Sequence, residues 1–179
     1  MLWVKRFQEP IIARGRKGGT RVVPEETMDE TIGRIVGQYS PMLLRLAYAR
    51  LGSAADAEDA VQETFLQLVS RRPAFRDQEH EKAWLIRTAL CRASDIRRRA
   101  DRQALPLEEA ALAAAPPEDN ELLEAVQALP EKYAAAIHLY YYEGYSIKEI
   151  ARLLGAPAAT IGARLARGRA RLRQMLKED

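Results

Sequence analysis

The chain has 179 residues and carries 28 Lys and Arg against 25 Asp and Glu, a formal net charge of +3, so it is mildly basic and long enough for one domain or two small ones. Cys91 is the only cysteine and His80 and His138 the only histidines, which excludes an internal disulfide and any Cys/His cluster at metal-ligand spacing. No metal or other cofactor is expected, no apolar run approaches a membrane span, and a reducing, cytoplasmic setting fits.

Residues 1–26, "MLWVKRFQEPIIARGRKGGTRVVPEE", contain no apolar run like that of a signal peptide and read as a basic N-terminal tail. From Thr27 to Arg102 apolar residues recur at helical spacing, with Gly and Pro in the gaps and no strand-like alternation, which predicts a first all-helical domain over 27–102. Within it, "SAADAEDAVQETFLQLVSR" concentrates Asp56, Glu58, Asp59 and Glu63 toward a helix N-terminus, where acid suits the helix dipole. No nucleophile, metal cluster or phosphate-binding glycine loop accompanies them, so acid/base catalysis is rejected and no enzyme is expected. Next comes a loop, "AFRDQEH", with Phe75, Arg76 and His80, and then "EKAWLIRTALCRASDIRRRADR". On a helix, Leu85, Ile86, Ala89, Ala93 and Ile96 share one arc, while Trp84, Arg87, Thr88, Cys91, Asp95 and Arg98 lie on the other. Aromatics among cations suit unstacked bases, which expose faces that a duplex hides. Composition alone equally allows Phe75 and Trp84 to be core.

Residues 103–120 are rich in Ala and acid, contain Pro106, Pro116 and Pro117, and read as a flexible linker. Helical patterning resumes over 121–179, so the fold class expected is all-α: two small helical bundles joined by that linker, each near the size at which a domain folds alone only marginally.

The second bundle has an internal grammar. A helix starts near Pro130 and stops at Gly144. Ser146 and Glu149 form an S-x-x-E capping box for a short helix with the apolar stripe Ile147, Ile150, Ala151 and Leu154, and Gly155 supplies its stop. The last helix, "TIGARLARGRARLRQML", carries only arginine charges: Arg164, Arg167 and Arg171 flank one side of the stripe Ile161, Leu165, Gly168, Leu172 and Met175, and Arg169 and Arg173 flank the other. A short capped helix, a tight turn and a longer basic helix make a helix-turn-helix, whose second member enters the major groove. Without Glu or Asp in the run, internal ion pairs cannot neutralise it, and an anionic partner follows. Tyr140, Tyr141, Tyr142 and Tyr145 precede the motif; helical neighbours point apart, which favours packing over base stacking.

The motifs "DAEDAVQETFLQLV", "KAWLIRTAL" followed by "RRR", "LPEKY", "EGYSIKEIARLLGAP" and "TIGARLARGRARLRQML" resemble, in order and spacing over residues 27–177, the extracytoplasmic-function sigma factors, two-domain promoter-specificity subunits of bacterial RNA polymerase. The resemblance implies region 2 over 27–102 and region 4 over 121–179. It implies that Asp56, Asp59, Gln62, Glu63 and Leu66 dock on the clamp helices of the polymerase largest subunit. Phe75 to Lys82 would form a loop capturing a flipped base of the minus-ten element, and the helix from Trp84 to Arg99 would bind the melted strand. The minus-ten set is thus Phe75, Arg76, His80, Lys82, Trp84, Arg87, Thr88, Cys91 and Arg98. Ser146, Lys148, Thr160, Ala163, Arg164, Arg167 and Arg171 would read the minus-thirty-five element. Further implied partners are the flap of the second-largest subunit and an anti-sigma factor; no small-molecule substrate is implied.

Three positions depart from the family pattern, which usually has Asn at Cys91 and a basic residue followed by Ser at Gly162 and Ala163. A looser minus-thirty-five reading through Thr160, Arg164 and Arg167 is expected. A stand-alone helix-turn-helix regulator, dimerising on paired half-sites, is the alternative; the second basic, aromatic-bearing helix and the linker count against it.

Overall fold

The computed structural model describes residues 28–103 and 120–176, so the basic tail (1–26) and residues 104–119 of the expected linker lie outside the described residues. The first group of helices is α1 (Met28–Leu51), α2 (Ala54–Arg71) and α3 (Gln78–Gln103); the second is α4 (Asn120–Ala128), α5 (Glu131–Tyr141), α6 (Ile147–Leu154) and α7 (Ala158–Met175). The two linker ends, Gln103 and Asn120, are therefore helical termini.

Local chemistry sets the boundaries. Ser53 caps α2, its side chain accepting from the Asp56 amide, and Arg72 ends that helix in the left-handed region at φ 44°. Ser146 and Glu149 form the reciprocal box at α6, and Gly155 closes it at φ 62°. The start of α3 differs from the sequence expectation. Asp77 accepts a 2.7 Å hydrogen bond from the His80 amide, so the helix begins at Gln78 and the loop is confined to 72–77. His80 and Lys82 thus stand on the first turns of α3 rather than in the loop.

The first bundle packs Ile35, Leu43 and Leu46 of α1 against Ala60, Val61 and Leu68 of α2 and Leu85, Ile86, Ala89 and Ala93 of α3, all buried. Glu81 is buried as well and receives a bidentate grip from Arg34 at 2.9 and 3.1 Å, tying α3 to α1. Burial, reinforced by the Glu81 carboxylate, pushes the neighbouring Tyr39 phenol up to about 12. In the second bundle, Ile137 and Leu139 of α5, Ile150 and Leu153 of α6, and Ile161 and Leu165 of α7 form the core. Ridges cross at Gly168, where an added Cβ would lie 3.0 Å from Ile137.

The two bundles dock on each other. Arg97 donates to the Gln127 carbonyl at 2.7 Å and Arg50 to that of Leu129 at 3.5 Å, so the first bundle brings cations to the carbonyl end of α4, whose own last turn has no basic residue. Arg45 grips Glu143 at 2.8 and 2.9 Å, Arg152 pairs with Glu79 at 2.8 Å, and Lys82 lies 5.2 Å over the Tyr145 ring. His138, buried and stacked on Tyr142, lies 3.3 Å from the Glu143 carboxylate. The sequence indicated two marginal bundles in need of a partner surface, and here each uses the other.

Candidate nucleic-acid and polymerase interfaces

Three surfaces hold the candidate residues. The first is the outer face of α2. Asp59, Gln62 and Leu66 are exposed, Leu66 at 63%, and Val69 extends the patch at 42%. Exposed Leu and Val beside acid, on a helix whose other face is buried through Ala57, Ala60, Val61 and Thr64, make an apolar-acidic strip suited to a basic helical partner. Glu63 sits at its edge, 3.6 Å from Arg92. Asp56 instead lines a cavity of about 310 Å³ at the bundle junction, together with Arg50 and Arg97.

The second surface is the loop and the start of α3. Phe75 packs edge-on against His80 (5.7 Å between centroids) and Trp84 (5.9 Å), joining three candidate residues into one aromatic cluster. Phe75 and Trp84 pack on the core yet are only half-buried, so core packing leaves part of each ring accessible. The Arg76 amide donates to His80 Nδ1 at 3.3 Å, which fixes the ring. Thr88 gives its hydroxyl proton to the Trp84 carbonyl at 2.8 Å. Burial pushes the Arg87 guanidinium below its ordinary value without neutralising it. Cys91 is half-buried on the same face, and Arg98, exposed, is held by Asp95 at 3.0 Å.

The third surface is α7. Ile161, Leu165 and Gly168 are buried, while Ala163, Arg167 and Arg171 are exposed and Thr160 and Arg164 half-buried. The arginine edges lie where helical spacing places them. Lys148 is exposed, but the Ser146 hydroxyl is committed: it donates to Glu149 Oε2 at 2.7 Å and accepts from the Glu149 amide, so Ser146 acts foremost as a cap. Sequence reasoning missed the tyrosines that hold the arginines. Tyr141 accepts from Arg169 at 3.3 Å, and the Arg171 guanidinium lies 5.5 Å over the Tyr133 ring. The regular spacing of Tyr133, Ile137 and Tyr141 was the available signal.

Between α4, α5 and the end of α7 lies an open apolar groove of about 470 Å³, walled by Leu122, Val126, Ile137, Tyr141, Leu172 and Leu176 and flanked by Arg169 and Arg173. Among the described residues no group of His, Cys, Asp and Glu could hold a metal ion, and no helix is long and apolar enough to cross a membrane.

A helix-turn-helix bundle joined to a second helical bundle with an aromatic-basic face defines a class of transcription factor, and comparison with known proteins identifies it. Residues 35–103 match the family description "Sigma-70 region 2" and residues 119–172 match "Sigma-70, region 4". The extracytoplasmic-function (ECF) sigma factor SigE of Mycolicibacterium smegmatis is 32% identical, over 97% of this chain and 71% of its own length. SigM of Mycobacterium tuberculosis is 34% identical over 78% of this chain and 74% of its own. Among solved structures, the sigma factor RpoE in complex with the anti-sigma factor NepR from Bartonella quintana is 25% identical with a TM-score of 0.65, covering 84% of this chain and 99% of that one. CnrH in complex with the cytosolic domain of CnrY gives the same identity and TM-score, over 84% of this chain and 90% of that one. The chain belongs to the sigma-70 family, as an ECF sigma factor: a transcription-initiation factor, not an enzyme.

Proposed function

We propose that the chain directs core RNA polymerase, in the cytoplasm, to promoters through the three surfaces, with region 2 spanning 27–102 and region 4 spanning 121–179. The α2 strip of Asp59, Gln62, Glu63 and Leu66 docks on the clamp helices of the largest subunit. The apolar groove walled by Leu122 and Leu172 seats the flap of the second-largest subunit. Phe75, Arg76, His80 and Trp84 receive an unstacked minus-ten base, with Lys82, Arg87, Thr88, Cys91 and Arg98 along the melted strand. Thr160, Ala163, Arg164, Arg167 and Arg171 enter the minus-thirty-five major groove, with Lys148 at its approach.

The observation that carries this reading is the pairing of two different nucleic-acid surfaces in one chain: an aromatic-basic cluster suited to single strands and an acid-free recognition helix suited to duplex. A repressor needs only the second. Docking of the bundles places Tyr145 on Lys82 and Arg152 on Glu79, at the start of the strand-binding helix, so engagement of a promoter separates them. An anti-sigma factor, the partner of the RpoE neighbour from Bartonella quintana, would act by holding the docked arrangement. The deciding experiment is initiation in vitro by purified core polymerase with and without the chain on a genomic promoter library. Defined start sites that depend on the chain support the reading; tight duplex binding by the free chain, with no effect on initiation, refutes it in favour of the repressor.

A further inference from the structure

Three consecutive residues of the loop before α3 converge on one residue of that helix, His80. The Phe75 ring meets the imidazole edge-on, 5.7 Å between centroids and with the planes 89° apart. The Arg76 amide donates to His80 Nδ1 at 3.3 Å. Asp77 Oδ1 accepts from the His80 amide at 2.7 Å, and the Asp77 carbonyl accepts from the Glu81 amide at 3.1 Å, which opens the helix. The arrangement is a capping box moved outward by one residue. The Asp77 side chain satisfies the third amide of the helix, and the third side chain reaches back past the cap to the amide before it. Because Nδ1 accepts, the proton of the neutral imidazole is on Nε2. Phe75 is anchored a second time, 5.9 Å from Trp84, whereas Arg76 and Asp77 are exposed.

We propose that His80 serves minus-ten reading as a positioning residue: with Nδ1 on the Arg76 amide and its ring on Phe75, it holds the loop in the shape that receives an unstacked base. The inference rests on the reading of this loop as the minus-ten site. Its physical basis is preorganisation. A loop that must order its backbone around an incoming base gives up conformational freedom at that moment, and one already tied to a helix gives up less. The tie leaves the capturing groups free to act. It uses the backbone amide of Arg76, so the guanidinium keeps all five N–H donors, and Phe75 and Trp84, being half-buried, keep ring surface for stacking. Asp77 belongs to the same device: its carboxylate, which DNA phosphate would repel, is engaged by the His80 amide. The two imidazole nitrogens separate the roles open to His80. Nδ1 is spent on the loop, so a polar contact to DNA would have to use Nε2.

The test uses holoenzyme assembled from core polymerase and the full chain, on a promoter with an intact minus-ten element and on the same promoter with that element scrambled. His80→Asn places a carbonyl oxygen where Nδ1 stands, and His80→Gln places its amide where Nε2 stands. Neither carries the ring, so the pair differs in which nitrogen is replaced. His80→Asn is expected to keep an intact-to-scrambled initiation ratio about three- to tenfold above that of His80→Gln, the equivalent of one net hydrogen bond. Hydrogen exchange at the Arg76 amide, read by NMR on the full chain without DNA, should be faster in His80→Gln by a similar factor. Equal exchange in the two variants, equal ratios, or a ratio better kept by His80→Gln overturns the proposal, the last because it reports a contact through Nε2. Arg76→Ala, which leaves the backbone amide in place, and Phe75→Ala test the reading beneath it. If neither lowers the ratio, the loop is not the minus-ten site and the proposal falls with that assignment; if either lowers it while the two His80 variants stay equal, the loop stands and only the positioning role is lost.

Discussion

Two glycines of α7 provide a sharp test of how region 4 is held together, because the same substitution should act on them in opposite directions. At Gly162 an added Cβ meets nothing within 4 Å, so Gly162→Ala brings only the helix-propensity gain, about 0.5–1 kcal/mol of stabilisation. At Gly168 the same methyl would lie 3.0 and 3.3 Å from two atoms of Ile137, a buried side chain, and 3.5 Å from Tyr133. Carbon contacts are comfortable at about 3.5–4 Å, and overpacking of this kind costs about 1–3 kcal/mol. Set against the same propensity gain, Gly168→Ala should come out destabilising by about 0.5–2 kcal/mol. The assay is chemical denaturation of the full chain, each variant against wild type. A separation of roughly 1–3 kcal/mol between the two is expected, and at about 2–4 °C per kcal/mol it should also appear in thermal melts. Equal stabilisation by both would mean that α5 and α7 do not cross tightly at residue 168, and the tyrosine–arginine contacts built on that crossing would fall with it.

Reversing charge at Asp59 and Glu63 should weaken core-polymerase association, read by native electrophoresis or fluorescence anisotropy, with helical content nearly intact, since exposed positions usually change stability by less than about 0.5 kcal/mol. Normal assembly, or unfolding, would sink the docking assignment. Arg167→Ala should cost the equivalent of roughly 1–3 kcal/mol in minus-thirty-five-dependent initiation and relax sequence preference, whereas Arg173→Ala, further along α7, should mainly flatten the salt dependence of promoter binding. Sequence-blind losses for both would mean that the helix only grips phosphate. Acid should loosen the docked bundles. Burial pushes His138 below its ordinary value, and although burial pushes Glu143 up, the Arg45 hydrogen bond holds it down overall. Both groups are depressed, so their stabilisation is fully present above their ordinary values, 6.5 for His138 and 4.5 for Glu143, and each is lost as pH falls below its own value. The thermal midpoint should drop as pH falls below 6.5, and His138→Gln should remove the first portion of that slope; a flat profile in the wild type would refute the linkage.

Much of this fold was legible because short-range chemistry determines it. The Ser146–Glu149 box, the stop at Gly155 and the stripe Ile161–Leu165–Gly168 each depend on residues within two turns, and all appear where their spacing predicts. The buried arc of α3 is similar, with Leu85, Ile86, Ala89 and Ala93 all inside. The expectations that needed amendment depended on one-residue choices or distant partners. Asp77 takes the cap of α3 and converts half of an expected loop into helix. Arg34 and Glu81 are 47 positions apart, and Arg45 and Glu143 are 98 apart, so nothing in local periodicity joins them. The arginines of α7 were legible as two edges, but what holds them was not. That depends on the glycine that brings Tyr133 within reach, and a glycine in a helix pattern reads first as a defect.

The contacts between the bundles are of the kind that binding can undo. Arg152 and Glu79 are 60% and 48% exposed in their side chains, and an ion pair with so much solvent contributes about 0.2–1 kcal/mol, while Arg45, 56% exposed, pairs with a Glu143 side chain that is largely covered. A few such contacts, with two guanidinium–carbonyl bonds and one cation–π contact, keep two marginal bundles together without making separation prohibitive. The proposed promoter reading requires that they separate. Two elements named for sites roughly 25 base pairs apart lie on the order of 85 Å apart at about 3.4 Å per step, while a chain of this length folded into one body has a radius of gyration near 16 Å. Residues 104–119, if fully extended, reach at most about 55 Å, which, added to the width of two bundles, is enough. On the proposed assignment of sites, the polymerase has to contribute two things: binding energy on α2 and in the groove that exceeds the interbundle contacts, and a spacing between those two seats that matches the promoter. In the proposed reading, the weakness of the contacts between the bundles is what lets one chain stay docked alone and open on the polymerase.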